Sequence, residues 1–115
     1  MSKSVDEFNA YRSAMNERLL GSDNLVLKRI FNIDTHAYLE GALPVKVKEM
    51  LGLVSSLVLR CDDCVRYHLI KCHENGVTKA ELFEVFGIAN LVGGTIVIPH
   101  ARRAVEFWDE LETES

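Results

Sequence analysis

Two thiols three residues apart, Cys61 and Cys64, are followed four residues later by the imidazole of His68, within the stretch Cys61-Asp62-Asp63-Cys64-Val65-Arg66-Tyr67-His68. On a helix these steps turn by about 300° and 400°, so the three side chains fall along one stripe. A thiolate is the attacking species in thiol chemistry, and a helix amino terminus favours it. A second thiol can then resolve a sulfenate or a mixed disulfide. His68 stands nearer to Cys64 than to Cys61 and is placed to take the Cys64 proton. Asp62 and Asp63 act against this, because negative neighbours disfavour a thiolate, although at a helix start they also suit the dipole and can serve simply as caps.

Two other readings compete. A zinc site would need Cys72 or His73 as fourth ligand. Cys61 to His68 already spans roughly 10 Å of helix axis, and Cys72 adds roughly 6 Å more. One continuous helix cannot gather those groups within bonds of about 2.0–2.3 Å, and no second CxxC completes a metal set. A structural reading, with small buried thiols and a packed histidine, fits the general burial of cysteine. The paired spacing favours a dithiol/disulfide redox centre over both.

Glu49 lies twelve positions before Cys61, where its helix turns apolar. Its plain reading is a surface glutamate. If buried, it needs a partner such as a histidine. Cys72 continues the stripe and is expected to be an inert packed thiol, and His73 is expected at the surface. His36 is placed to pack near the thiols from the preceding helix. His100 and Arg102-Arg103 are candidates for a subunit contact or a pocket mouth, and Tyr67 and Trp108 for core or interface aromatics.

The elements that must position these groups are helices. Ser4 to Glu7 matches a capping box for a first helix reaching about Leu20. Gly21 stops it, and Ser22-Asp23-Asn24 offers the next cap for a helix to about Leu39. Pro44 suits the first turn of a third helix, which becomes apolar on all sides from Met50 to Leu59. A chain this short has few elements to cover such a helix, so subunit contacts are expected. The CxxC opens a fourth helix that stops at Asn75-Gly76. Thr78 to Glu81 is a second capping box, for a helix to about Leu91, and Gly93-Gly94 marks a loop or a close-packing point. Thr95 to Ile98 is β-branched, but no second strand is present to pair with it. It reads as the start of a last helix, kinked or restarted at Pro99 and ending near Glu112, with an acidic frayed tail over 109–115. The fold class is all-α, about six helices in a single domain over 1–115.

The chain has 115 residues, 48% hydrophobic and 26% charged, with a net charge of −4. That balance argues against nucleic acid or an anionic membrane as partner. The first nine residues lack a signal-peptide pattern, and the apolar run over 88–99 is too short to span a membrane. A cytoplasmic location is the expectation. Three cysteines in a reducing compartment argue against a structural disulfide framework.

Glu49, the twelve-residue step to Cys61, then Cys64, His68 and Glu74-Asn75-Gly76-Val77-Thr78-Lys79-Ala80-Glu81 together resemble the signature of the alkylhydroperoxidase D-like group of the carboxymuconolactone decarboxylase family. The resemblance covers about 39–105. It implies an all-α fold assembled as homotrimers or homohexamers, with the CxxC at a helix start. It also implies thiol-dependent reduction of a hydroperoxide substrate, with a dithiol reductant such as a lipoyl group restoring the pair. Carried over by position, Cys64 resembles the peroxidatic thiol, Cys61 its disulfide partner, His68 the base, and Glu49 the residue that orients or relays to it. No metal or organic cofactor is implied. Asp63 stands where the best-characterised peroxidases of the group carry a second histidine. The decarboxylases proper lack the cysteine pair, so decarboxylation is not expected. The alternative is a non-enzymatic redox sensor or an assembly subunit with a vestigial CxxC.

Overall fold

Helix stops and caps written into the chain set the path of the backbone. The computed structural model describes residues 3–113, and over these the protein is all-α. Its helices are α1 (Lys3–Leu20), α2 (Leu25–Ala37), α3 (Val45–Val58), α4 (Asp62–Glu74), α5 (Lys79–Gly93) and, after a 3₁₀ turn over Thr95–Val97, α6 (Ile98–Thr113). Asn24 caps α2 by accepting from the Leu27 amide. Thr78 and Glu81 form the full reciprocal capping box of α5. The β-branched Thr95-Ile96-Val97 is a single helical turn rather than a strand, and Pro99 sits in the first turn of α6. Gly93 is the close-packing point: a Cβ there would lie 2.7 Å from the Val97 side chain.

Three expectations need correction. α1 already includes Lys3, so Ser4 lies inside the helix and does not cap it; its hydroxyl donates to Glu110 of α6. α2 stops at Ala37, two residues early, where the Lys48 ammonium reaches across from α3 to donate to the Ala37 and Leu39 carbonyls at 2.9 and 2.7 Å. The tail is helical through Thr113, because Lys79 of α5 pairs with Asp109 and Glu112. Glu114 and Ser115 lie outside the described residues.

The core lies between α3, α4, α5 and α6. Leu53 and Leu57, then Val65, Leu69 and Cys72, then Leu82, Phe86 and Ala89, and finally Ala104, Phe107, Trp108 and Leu111 line its inner stripes at helical spacing. Each large apolar side chain buried there contributes about 1.5–3 kcal/mol. Much of the apolar surface remains uncovered within one chain. α2 buries no residue at all, and Leu51, Leu59, Ile88, Leu91 and Val92 of α3 and its partner α5 stay exposed. Among the described residues no helix is long and apolar enough to cross a membrane.

The α3–α4 corner is the one that delivers the cysteines. Arg60 and Cys61 turn back to the Leu57 and Ser56 carbonyls, both at 3.0 Å, closing a Schellman motif. The left-handed position in that motif is normally glycine, yet here Arg60 takes it at φ 62°. An L side chain in this region costs about 1–2 kcal/mol. Arg60→Gly is therefore expected to raise the urea midpoint, by up to about 1 kcal/mol after the greater freedom of the unfolded glycine is subtracted. A midpoint lowered by that substitution would contradict the account of the corner.

Candidate active site

Cys61 is not part of the fourth helix but its N-cap, with φ −101°, ψ 94° and its sulfur accepting from the Cys64 amide at 3.2 Å. The stripe expected from the spacing thus begins one residue outside the helix. Cys61 and Cys64 are joined as a disulfide, with Cα atoms 5.3 Å apart. From there the stripe runs into the core. Cys64 is exposed, His68 is 8% exposed and Cys72 is fully buried. Successive i, i+4 steps along one helix face so carry the chain from solvent to a dry interior.

Glu49, expected from its position alone to be a surface residue, is 3% exposed. It shares the inner stripe of α3 with Gly52, Leu53, Ser56 and Leu57. Its carboxylate accepts from His68 Nδ1 at 2.8 Å. A carboxylate can only accept, so Nδ1 carries a proton, and whenever the ring is neutral Nε2 keeps its lone pair. That lone pair faces the Tyr38 hydroxyl at 3.4 Å, and the two rings stand 5.3 Å apart. Burial first, and the Glu49 charge second, push the Tyr38 hydroxyl above its ordinary value, which keeps it a donor.

Tyr38 was not legible in the sequence. Among the residues near the end of α2, His36 carried the chemical signal, but it is exposed and turns back to its own helix at the Asn32 carbonyl, 2.8 Å away. The early stop of α2 and its clamp by Lys48 are what bring Tyr38 over α4. Gly52 makes the meeting possible: a Cβ there would lie 2.6 Å from His68 Cε1 and 2.7 Å from the Tyr38 hydroxyl.

The remaining candidates separate clearly. His73, expected at the surface, is half-buried edge-on against Trp108 at 5.4 Å, and Trp108 itself is core. The ring of Tyr67 lies beside His68, with the Arg12 guanidinium 4.0 Å above it. His100 and Arg103 reach Asp62, the residue after Cys61, at 2.6 and 2.8 Å, while Arg102 is exposed. Burial alone would raise the Asp62 carboxyl. The hydrogen bonds and charges of His100 and Arg103 outweigh it and hold the group below the ordinary carboxylate value. Among the described residues no group of three or more histidine, cysteine and acidic side chains is arranged to hold a metal ion.

Comparison with known proteins places this geometry. The model of the carboxymuconolactone decarboxylase family matches residues 24–107. Two crystal structures of one Thermotoga maritima protein superpose with TM-scores of 0.92 and 0.90 at 51% and 50% identity. They cover 94% and 93% of this chain and 95% and 91% of theirs. That protein is described as a carboxymuconolactone decarboxylase family protein, with an involvement in antioxidative response suggested for it. A family member from Legionella pneumophila, in its apo form, shares the fold with a TM-score of 0.86 at 21% identity, over 95% of this chain and 97% of that one. An uncharacterized protein of Cupriavidus necator is 32% identical over 72 residues, which are 63% of this chain. The match spans 64% of that curated relative, less than two thirds of its length.

Two outcomes test the geometry. Gly52→Ala adds helix propensity of about 1 kcal/mol, but overpacking against two rings costs about 1–3 kcal/mol. The variant is expected to be less stable in urea, and a gain in stability would contradict the close approach. Burial first, with the Glu49 charge second, pushes the Cys72 thiol up from 9.0 to about 12. A group held neutral by the fold stabilises it fully below its unfolded pKa, and that contribution is lost as pH rises from 9.0 toward about 12. In the oxidised protein the unfolding free energy from urea titration should therefore fall as pH rises from 9.0 toward about 12, with a limiting slope of about 1.4 kcal/mol per pH unit from this thiol. Cys72→Ala should remove that part of the slope.

Proposed function

The chain is an alkylhydroperoxidase D-like member of the carboxymuconolactone decarboxylase family, and from that premise we propose that it is a thiol-dependent peroxidase that reduces hydroperoxides through the Cys61–Cys64 pair. The observation that carries the reading is the buried Glu49–His68 hydrogen bond on the same helix face as an exposed Cys64. Burying a carboxylate and an imidazole together is costly unless each serves the other. The arrangement has the form of a base oriented by an acid beside a nucleophile.

In the reduced protein His68, oriented by Glu49, takes the proton of Cys64, and the Tyr38 hydroxyl yields the Nε2 position it holds in the resting state. The Cys64 thiolate attacks a peroxide oxygen. An S–O bond forms, the O–O bond breaks, and the alkoxide leaves as an alcohol with a proton returned through His68. Cys61 then attacks the Cys64 sulfenic sulfur. An S–S bond forms and the S–O bond breaks, with hydroxide taking a proton to leave as water. An external dithiol, a lipoyl group by its chemistry, reduces the pair and becomes a disulfide in its turn. The uncovered apolar faces of α2, α3 and α5 support assembly of several copies of the chain, as trimers or a hexamer.

The test is peroxide consumption driven by dihydrolipoamide. Cys64→Ser is expected to abolish turnover, and Glu49→Gln to lower it by about 10²–10⁴-fold, the usual range for a lost acid–base contribution. Full turnover in Cys64→Ser would remove the proposal. Ordinary ionisation of both thiols, near 8.5, would favour a non-enzymatic sensor or assembly role instead.

A further inference from the structure

Two carboxylate–imidazole pairs flank the disulfide, and the reaction above uses one. The second is built on Asp62, the first residue of α4, directly between the cysteines. One carboxylate oxygen takes His100 Nδ1 at 2.6 Å and the other takes Arg103 Nε at 2.8 Å. His100 and Arg103 are three apart on α6, so both project from one face of it toward α4. Because the carboxylate can only accept, Nδ1 of His100 carries the proton. The Arg103 guanidinium lies 3.2 Å from that same nitrogen, two donors held side by side by the one carboxylate they share. The His100 side chain is 15% exposed, against 47% for Arg103, so the imidazole is held in the α4–α6 seam rather than free in solvent.

From the sequence, Asp62 and Asp63 place two negative charges in the turn that holds the thiols, which opposes formation of a thiolate there. The structure reverses that sign for Asp62. Its charge is matched by Arg103, and His100, whenever it is protonated, adds a further positive charge at the same end of α4, where the helix amides already favour an anion. We infer that Asp62 is an anchor holding His100 and Arg103 at the redox pair, and that His100 is a positioning residue whose protonation favours the thiolate form of the CxxC. The inference deepens the peroxidase reading and rests on it only in taking the thiols to be reactive.

The other charged groups around this cluster are few. Asp63 and Arg66 of α4, with Glu106 and Glu110 of α6 and Glu7 and Tyr11 of α1, line the roughly 400 Å³ cavity that also receives Arg103. The 3₁₀ turn over Thr95–Val97 brings no titratable side chain. Of these, Asp63 adjoins Cys64 in the chain and is exposed, whereas Asp62 is held by both donors from α6.

The reduced protein offers a direct readout, the rate of alkylation by iodoacetamide as a function of pH. His100→Gln should slow alkylation at pH 6.5 by about three- to tenfold, the effect of up to about one unit in thiol pKa, and leave the rate at pH 10 within about twofold. Arg103→Met should act in the same direction and Arg103→Lys should restore most of the rate, which carries the test if the glutamine variant fails to fold. Superimposable pH profiles for wild type, His100→Gln and Arg103→Met would overturn the inference. Peroxide does not enter this measurement. A protein with low-ionising thiols, sensitive to His100 but inert toward peroxide, would sink the proposed function and leave the inference standing.

Discussion

The hydrogen bond between Glu49 and His68 is the constraint on which the rest of the structure depends. A carboxylate on the inner stripe of α3 would be costly beside Leu53 and Leu57 without a partner, and removing one member of such a buried pair typically costs about 3–5 kcal/mol. The bond therefore fixes more than a proton path. It sets the register of α3 against α4, because only one rotation of α4 brings His68 to Glu49 while Val65, Leu69 and Cys72 face the same core. Gly52 then has to be without a side chain, and Tyr38 can close over the imidazole only because that space was left open.

Around that bond the molecule grades from wet to dry within two turns of one helix. Cys64 faces solvent, His68 lies almost covered, and Cys72 is sealed in the core with its thiol pushed up to about 12. One sulfur of the stripe is thus exposed and paired in a disulfide, while the other is a free thiol that burial holds neutral. The Schellman turn at Arg60 supports this division, since it puts Cys61 at the N-cap, where its sulfur meets the Cys64 amide. A thiol in that position needs no further residue to be held near its partner.

Uncovered apolar surface is the counterpart of the small core. α2 buries nothing, yet it carries Leu25, Val26, Ile30 and Ile33 on its surface, and the apolar faces of α3 and α5 continue to Leu59 and Leu91. Exposed stretches of this extent mark interaction surfaces in proteins of ordinary composition.

The sequence by itself determined the all-α class, the caps at Asn24 and Thr78, the left-handed stop at Gly76, the helical rather than extended Thr95 to Val97, and the candidate chemistry of Cys61, Cys64 and His68. Those features are local: they depend on side-chain periodicity and on residues within four positions of one another. The family signature pointed to Glu49 where periodicity alone favoured a surface residue. Only the tertiary structure decided that Glu49 is buried on His68, that Tyr38 rather than His36 meets the imidazole, and that Asp62 is held by His100 and Arg103. Each of those outcomes joins residues 19 to 41 positions apart, with His36 set aside by a bond to its own helix. Such contacts follow from how helix faces meet in space, and no spacing along one helix encodes them.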